Sequence, residues 1–293
     1  MKFVIAGGSG LIGQALARQA VALGHEVVVL SRRPMPAALA GRGVTWDGEQ
    51  PGDWQAELND AQVVINLCGA SIGQGRWTDA RKAEIRQSRI APAQCLVSVM
   101  QAQANKPVYL QASAVGFYGP GDTPVYEESP AGDDYLARLA IEWEAQADAY
   151  SGPTTITRFG VVLAADAGAL PLMALPFKLF VGGKLGHGEQ YFAWITVTDV
   201  AGALLFCIEQ ALRGVVNLVA PQTITNAEFT RAMASAVGRP AVFTVPAFVL
   251  RTVLGEQADL MLQGQQVLPS RLQDAGYRFA DPEIAPALQR LLG

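Results

Sequence analysis

Residues 3–13 read FVIAGGSGLIG, and two patterns meet inside that stretch. The first four residues are continuously apolar, as a strand covered on both faces should be. The glycines that follow satisfy both Gly7-x-x-Gly10-x-x-Gly13 and Gly8-x-Gly10-x-x-Gly13. Glycine at these places permits a tight turn and a close approach of backbone to a pyrophosphate, and the helix that opens next offers its positive end. Either pattern alone is weak. Placed after a strand and before a helix, it predicts a dinucleotide-binding turn.

Working outward, short β-rich runs alternate with longer Ala/Leu-rich stretches. Strands are expected at 2–6, 26–31, 43–46, 62–67, 107–112, 154–162 and 214–219, and helices near 11–23, 54–60, 78–104, 134–150 and 197–212. Strands separated by helices give right-handed crossovers and a parallel sheet. The fold class expected is therefore α/β, a Rossmann-type doubly wound parallel sheet, with a smaller C-terminal α+β lobe. Pro92 is expected to kink or split the 78–104 helix. Beyond about residue 165 the chain turns to Gly- and Pro-rich loops. Thr225 and Glu228 then form a capping box, and PSRLQDAG (269–276) reads as a second capped helix. Residues 1–220 are read as the cofactor domain, with 166–196 contributing to the substrate cleft, and 221–293 as the substrate-side lobe.

Composition bounds the function. The chain has 293 residues, half of them apolar and 16% charged, with a net charge of −4. A chain this long buries about three quarters of its unfolded surface. Without a basic block, nucleic acid and anionic membranes are not expected partners. Three cysteines far apart (Cys68, Cys95, Cys207) read as free thiols, and two histidines without a Cys/His cluster give no metal site. The N-terminal apolar run breaks into glycines too early for a signal peptide, and no run reaches the roughly twenty apolar residues of a membrane span. A cytoplasmic protein acting on a small molecule is expected.

The second strand ends in VVVLSRRP, residues 27–34. A carboxylate is expected there, about 20 residues past the glycines, to accept hydrogen bonds from a ribose 2′-hydroxyl. Ser31, Arg32 and Arg33 stand in its place. A carboxylate would repel a 2′-phosphate, whereas guanidinium binds phosphate through paired, charge-assisted hydrogen bonds. The cofactor expected is NADP(H).

GGSGLIG (7–13), NLCG (66–69), SAVGFYG (113–119) and TRFGVVL (157–163) together resemble the extended short-chain dehydrogenase/reductases, the NAD(P)-dependent epimerase/dehydratase group. RWTDARKAEIRQSRI (76–90), AWITVTDV (193–200) and GQQVLPSRLQDAGYRF (264–279) resemble one atypical branch of it. That branch carries only the label "epimerase family protein", and some members the label "cell division inhibitor". The likeness covers nearly the whole chain. It implies an NADP(H)-binding Rossmann domain under a C-terminal lobe that closes over substrate. It implies further that Gly7, Gly10, Leu11, Ile12 and Gly13 touch the pyrophosphate, and that Ser31 with Arg32 takes the 2′-phosphate. Leu67 and Cys68 would line the adenosine side and Val161 the nicotinamide. Glu84 and Arg89 match the branch's cofactor-contacting pair, although five residues apart they share no helical stripe.

Reaction chemistry is less complete. The parent family uses a Ser/Thr near the fifth strand and a Tyr-x-x-x-Lys on the next helix, whose lysine lowers the tyrosine pKa for proton transfer as hydride moves. Ser113 matches the serine. In DDYLARLAIEWE (133–144), Tyr135 is followed by Leu139 at the lysine place; aligned on Glu144, the pair becomes Leu136 and Ala140. Neither register gives the dyad. Arg138, three residues from Tyr135, is one cation that could assist it. Tyr118 matches a tyrosine beside the substrate pocket or packs a strand end. His187, Gln190 and Trp194 are expected near the cleft, with substrate-binding and structural roles both open. The acidic run YEES (126–129) reads as a solvated turn, and the apolar residues of 172–180 as core or lid packing. An oxidoreductase or epimerase with a degenerate site, and a non-catalytic NADP(H)-binding sensor, both fit these residues.

Overall fold

A computed structural model describes the whole chain, Met1 to Gly293. β1 (Lys2–Ala6) leads into α1 (Leu11–Ala22), followed by β2 (Glu26–Ser31) and β3 (Arg42–Thr45). A 3-10 segment (Asp53–Leu58) precedes β4 (Val63–Asn66) and the long α2 (Asp79–Ala102). Next come β5 (Val108–Ala114), β6 (Gly121–Val125), α3 (Tyr135–Ala145), β7 (Thr154–Phe159) and β8 (Val161–Leu163). They are followed by α4 (Leu170–Lys178), β9 (Gly183–Leu185), β10 (Trp194–Thr196), α5 (Val197–Glu209) and β11 (Gly214–Leu218). The remainder holds α6 (Asn226–Val237), β12 (Phe243–Val245), α7 (Ala247–Leu254) and α8 (Asp259–Leu262), then β13 (Gln265–Val267), α9 (Ser270–Asp274) and α10 (Ile284–Leu292).

Seven strands form one parallel sheet in the order β11-β7-β5-β4-β1-β2-β3. Chain direction across the sheet reverses between β1 and β4, the switch point outside whose carboxyl ends open α/β sheets bind ligands. Alternation along β1 divides the core. Phe3 and Ile5 join Leu16 of α1 and Val200 and Leu204 of α5 on one face, while Val4 and Ala6 join Trp54 and Leu96, Met100 of α2 on the other. That two-sided burial is why these strands read as continuous apolar runs. A third cluster, with Leu170, Phe177, Trp194, Phe229 and Leu288, lies outside the main sheet.

Several expected elements take another form. The 154–162 strand breaks at Gly160, where a Cβ would lie 2.9 Å from the Ala193 carbonyl oxygen. β7 stays in the main sheet, and β8 leaves it to pair with β10. Residues 53–58 wind as 3-10 rather than α-helix, and the last turn of the 134–150 helix, Gln146–Ala149, does the same. Pro92 does not split α2. Its absent amide removes one helical bond, but Ile85, Ile90, Leu96 and Met100 pin the helix to the protein on both sides of it. The capping box at Thr225 and Glu228 forms with both reciprocal bonds, whereas α9 starts behind Pro269 with no side-chain cap. Residues 221–293 are tied to the rest by two short parallel pairings, β12 with β9 and β13 with β6. Phe180, expected in packing, is exposed at φ +62°. No helix is long and apolar enough to cross a membrane.

Candidate functional site

The turn between β1 and α1 is built as its glycines require. Gly7 sits at φ +73°, and a Cβ there would meet the Leu67 carbonyl at 2.9 Å. A Cβ on Gly13 would come within 2.4 Å of Gly8 Cα, so α1 leaves the turn in direct contact with it. Gly10, the N-cap of α1, is different: its nearest neighbour would be the Gly7 carbonyl oxygen at 3.4 Å, leaving its open side to a ligand. The first turn of α1 carries no acid and no capping side chain. The amides of Leu11, Ile12 and Gly13 therefore remain free for an anion.

Beside this turn the structure gathers Ser31, Arg32, Leu67, Cys68 and Arg89. Ser31 is buried at the end of β2, its hydroxyl donating to the Arg33 carbonyl at 2.6 Å. Arg32 is exposed beside it, and its charge reaches Cys68 at the end of β4. Burial nonetheless dominates there and pushes the Cys68 thiol up to about 12. The Cys68 amide donates to Asn66 Oδ1 at 3.1 Å, and Asn66 is itself held by Gln111 Oε1. Arg89 reaches back from α2 to the same strand ends. Its guanidinium carbon would be 3.1 Å from a Cβ on Gly69, and it lies 5.1 Å from the Trp143 ring centre. Its one hydrogen bond goes to the Ile85 carbonyl at 2.9 Å, and it pairs with no carboxylate. Burial pulls its pKa down to about 10, which leaves it cationic at neutral pH. Glu84 is the less committed of the pair, exposed and bridged to Arg81 at 2.6 Å. Val161, first in β8, is half-buried opposite Trp194 in the register.

Of the expected catalytic residues, Ser113 and Tyr118 share one buried network, and Tyr135 lies outside it. Ser113 is 2% exposed, and its hydroxyl donates to Glu144 Oε1 at 2.5 Å. Arg158 clamps both oxygens of Glu144, at 2.8 and 2.7 Å. It also donates to the Tyr118 hydroxyl at 2.9 Å, which donates in turn to Asn217 Oδ1 at 2.7 Å. Tyr118 is thus buried inside a polar network, and burial raises its pKa against the pull of Arg158. Glu127 closes the network. One of its oxygens accepts the amides of Asn217 and Arg271, each at 3.2 Å, and the other has no partner. The YEES run is a turn with Tyr126 and Glu128 exposed, but Glu127 departs from the expected solvated turn: it is buried, and burial raises its pKa.

Tyr135 stands apart from this network, edge-on to Trp77 at 5.2 Å between ring centres. Leu136, not Tyr135, faces the loop after β5, where a Cβ on Gly116 would lie 3.2 Å from Leu136 Cβ. Leu136, Ala140 and Glu144 form one i, i+4, i+8 stripe, so the face towards β5 carries Leu and Ala where a Tyr-x-x-x-Lys would stand. Arg138 does not assist Tyr135; it turns to the Asp133 carbonyl. Lys82 from α2 does approach, its ammonium 4.8 Å from the ring centre. Burial raises the Tyr135 pKa, and Lys82 and Arg89 only partly offset it.

On the substrate side, His187 is exposed and accepts the Glu189 amide at 3.0 Å. Gln190 is buried and its side chain donates to the Leu185 and Met261 carbonyls, at 3.0 and 2.9 Å, with its Oε1 unpartnered. Trp194 is 1% exposed and packs in the third apolar cluster, its indole N–H on the Gln222 carbonyl. In this structure it is a packing group with no surface for a ligand. Lys82, Glu127, Glu144 and Arg158 escaped sequence reasoning. A charged residue inside the doubly covered strand TTITRF was the one available signal, since Arg158 needs a buried partner.

Comparison with known proteins agrees with this geometry. The sequence pattern of the NAD dependent epimerase/dehydratase family matches residues 3–219, and a domain of unknown function, DUF1731, matches residues 245–291. An epimerase family protein of Mycobacterium leprae is 40% identical over 97% of this chain and 93% of its own. The human epimerase family protein SDR39U1 is 36% identical over the whole of both chains. The crystal structure of that human protein (isoform 2) with NADPH superposes with a TM-score of 0.90 at 35% identity, covering 100% of this chain and 99% of the other. A nucleoside-diphosphate sugar epimerase from Corynebacterium glutamicum superposes with a TM-score of 0.80 at 31% identity, covering all of this chain and 58% of that one. With a parallel sheet in this order, a glycine cradle at its switch point and full-length relatives at this identity, the chain belongs to the NAD dependent epimerase/dehydratase family.

Proposed function

We propose that the protein binds NADP(H) in preference to NAD(H) across the carboxyl ends of β1, β2 and β4. We propose further that it acts as an epimerase or oxidoreductase on a small hydroxylated or carbonyl substrate. One observation carries the reading: the site presents guanidinium where this fold usually presents a carboxylate. Arg32 stands beside Ser31, and the half-buried Arg89 has no acid of its own. A cation drawn partly out of water is costly without an anionic partner, and phosphate is the anion a guanidinium holds best. The NADPH named with the human relative supports the same cofactor. On this reading Gly7, Gly10, Leu11, Ile12 and Gly13 hold the pyrophosphate, and Ser31 and Arg32 the 2′-phosphate. Leu67 and Cys68 flank the adenosine, Arg89 and Glu84 border the cofactor on the α2 side, and Val161 lies near the nicotinamide. Residues 1–220 would hold the cofactor, and 221–293 would supply the substrate side, with His187 and Gln190 at its border.

When bound, the nicotinamide supplies a hydride donor or acceptor; the chain must move the proton. Tyr135 is the accessible candidate, with Lys82 as the nearby cation in place of the family's lysine. Its raised pKa keeps it a phenol at neutral pH, a weak acid whose donated proton leaves a poorly stabilised phenolate. From an ordinary pKa near 10, reaching phenolate at pH 7 already costs roughly 4 kcal/mol. Weak turnover is the consequence. Ser113 and Tyr118 reach a substrate only if the Glu144–Arg158 network opens. The stripe Leu136–Ala140–Glu144 also favours a second reading, an NADP(H)-binding sensor without catalysis.

NADPH oxidation across a panel of aldehydes and ketones separates the two. Slow turnover, lowered by Tyr135→Phe and by Lys82→Met, is expected of the enzyme. NADPH binding with no turnover on any carbonyl would leave the sensor. Fast turnover unaffected by Ser113→Ala, Tyr118→Phe and Tyr135→Phe would place the chemistry elsewhere.

A further inference from the structure

The buried residues of α1 are Gly13, Gln14, Ala15, Leu16, Ala17 and Ala20, and Gln14 is the one with a polar side chain. A carboxamide taken out of water is costly unless its N–H groups and its oxygen all find partners. Gln14 is 5% exposed, and it finds them on two different loops. Its Nε2 donates to the Gly8 carbonyl at 2.9 Å and to the Ala40 carbonyl at 3.3 Å, and its Oε1 accepts the Ala40 amide at 2.9 Å. Gly8 belongs to the glycine turn. Ala40 lies near the end of the segment that leaves β2 through Arg32 and Arg33 and returns to β3. One side chain thus joins the turn that would hold the pyrophosphate to the loop that would hold the 2′-phosphate.

Both ends of this bridge act on backbone. In a planar trans peptide the carbonyl and the next amide point opposite ways. Holding the Gly8 carbonyl against Gln14 therefore turns the Ser9 amide away from α1, and that amide has no partner within the protein. At the other end, the hydrogen bonds of residues 32–39 stay inside the segment 31–39, from the Ser31 hydroxyl to the Arg33 carbonyl and from the Leu39 amide to the Pro36 carbonyl. The two Gln14–Ala40 bonds fix the far end of that segment before β3 begins. A loop already held at both ends loses less freedom when its arginine closes on a phosphate. We propose that Gln14 is a positioning residue for cofactor choice. It sets the arginine loop against the glycine turn, and so the share of binding that a 2′-phosphate adds. The proposal rests on NADP(H) being the cofactor and on Arg32 as its 2′-phosphate contact.

Titrations of the full chain with NADPH and NADH test it. Gln14→Met keeps the length of the side chain and removes all three bonds. It should weaken NADPH by roughly fivefold and NADH by less than about twofold, the scale of coupling between groups in one network. In an Arg32→Ala background the same substitution should cost NADPH almost nothing, because the contact it positions is gone. Gln14→Asn, too short to reach Gly8 and Ala40 together, should lower the preference in the same way, and it replaces the methionine variant if that one folds poorly. Gln19→Met removes the other glutamine of α1, whose side chain bonds only the Thr198 carbonyl at 3.4 Å, and should leave both affinities unchanged. Hydrogen exchange of residues 32–40 should quicken in Gln14→Met while β1 and β2 keep their native protection. Equal weakening of both cofactors, a fully retained NADPH preference, losses that add to those of Arg32→Ala, or unchanged exchange in the loop overturns the proposal and leaves the cofactor assignment standing. A native chain with no preference for NADPH overturns that assignment, and the proposal with it.

Discussion

Arg158→Met is the perturbation with the largest calculable effect. The Arg158 and Glu144 side chains are 4% and 13% exposed and meet through two hydrogen bonds, with Ser113 as the third partner of the carboxylate. Replacing the guanidinium with a thioether of similar length leaves Glu144 charged and enclosed, and takes a donor from Tyr118. Breaking one side of such a pair costs about 3–5 kcal/mol, out of a total stability of roughly 5–15 kcal/mol. At roughly 2–4 °C per kcal/mol for a chain of this size, the melting midpoint should fall by about 6–20 °C. Calorimetry and urea unfolding with unchanged m-value measure it, with Arg86→Met as the control, because the Arg86–Glu142 pair lies on the surface. The double change Arg158→Met with Glu144→Leu should regain much of the loss, since removing both charges leaves neither unpaired. The reasoning fails if Arg158→Met is no worse than Arg86→Met, or if the double variant is less stable than the single one.

Other contacts in the molecule set further outcomes. Gly10→Ala should preserve folding but lose NADPH, because its Cβ would occupy the open side of the turn, whereas Gly13→Ala should lower both the melting midpoint and the affinity; thermal melts with NADPH titrations distinguish them. Arg42, and then Lys2, hold the Glu57 carboxyl down to about 2. Its contribution to stability is present above about pH 4.5 and is lost as pH falls towards 2, so Glu57→Gln should flatten the acid limb of a stability–pH curve. Burial pushes the thiols of Cys68 and Cys207 up to about 12 and that of Cys95 up to about 11. All three should therefore resist a thiol reagent at neutral pH until denaturant is added.

What could be read from sequence follows from how local the cause is. The inner strands of the main sheet declare themselves because both of their faces are covered, so apolar runs such as VVIN and FVIA need no partner to be recognised. The glycine turn is largely local, since the positive φ of Gly7 and the Gly13–Gly8 contact lie within one βα unit, although Gly7 also packs on the Leu67 carbonyl from β4. The break at Gly160 is not: it depends on the backbone of Ala193, far along the chain. The three-residue strands β8, β9, β10, β12 and β13 carry too little pattern to announce distant partners. The same limit hid the polar network. Ser113 and Glu144 are 31 residues apart, and Glu127 and the Asn217 amide 90, so Glu127 looked like part of a solvated turn. Lys82 reaches Tyr135 from a helix 53 residues earlier, and a search along α3 for a cation could find only Arg138.

The central claim is cofactor choice by guanidinium in place of carboxylate, and paired titrations of the native chain with NADPH and NADH test it most directly. Losing a bidentate arginine–phosphate contact costs about 1.5–3 kcal/mol. NADPH should therefore bind at least roughly tenfold more tightly than NADH, with Arg32→Ala removing most of that difference and leaving NADH affinity unchanged. Equal affinity of the native protein for the two cofactors, or an Arg32→Ala variant that keeps the full preference, would contradict the account.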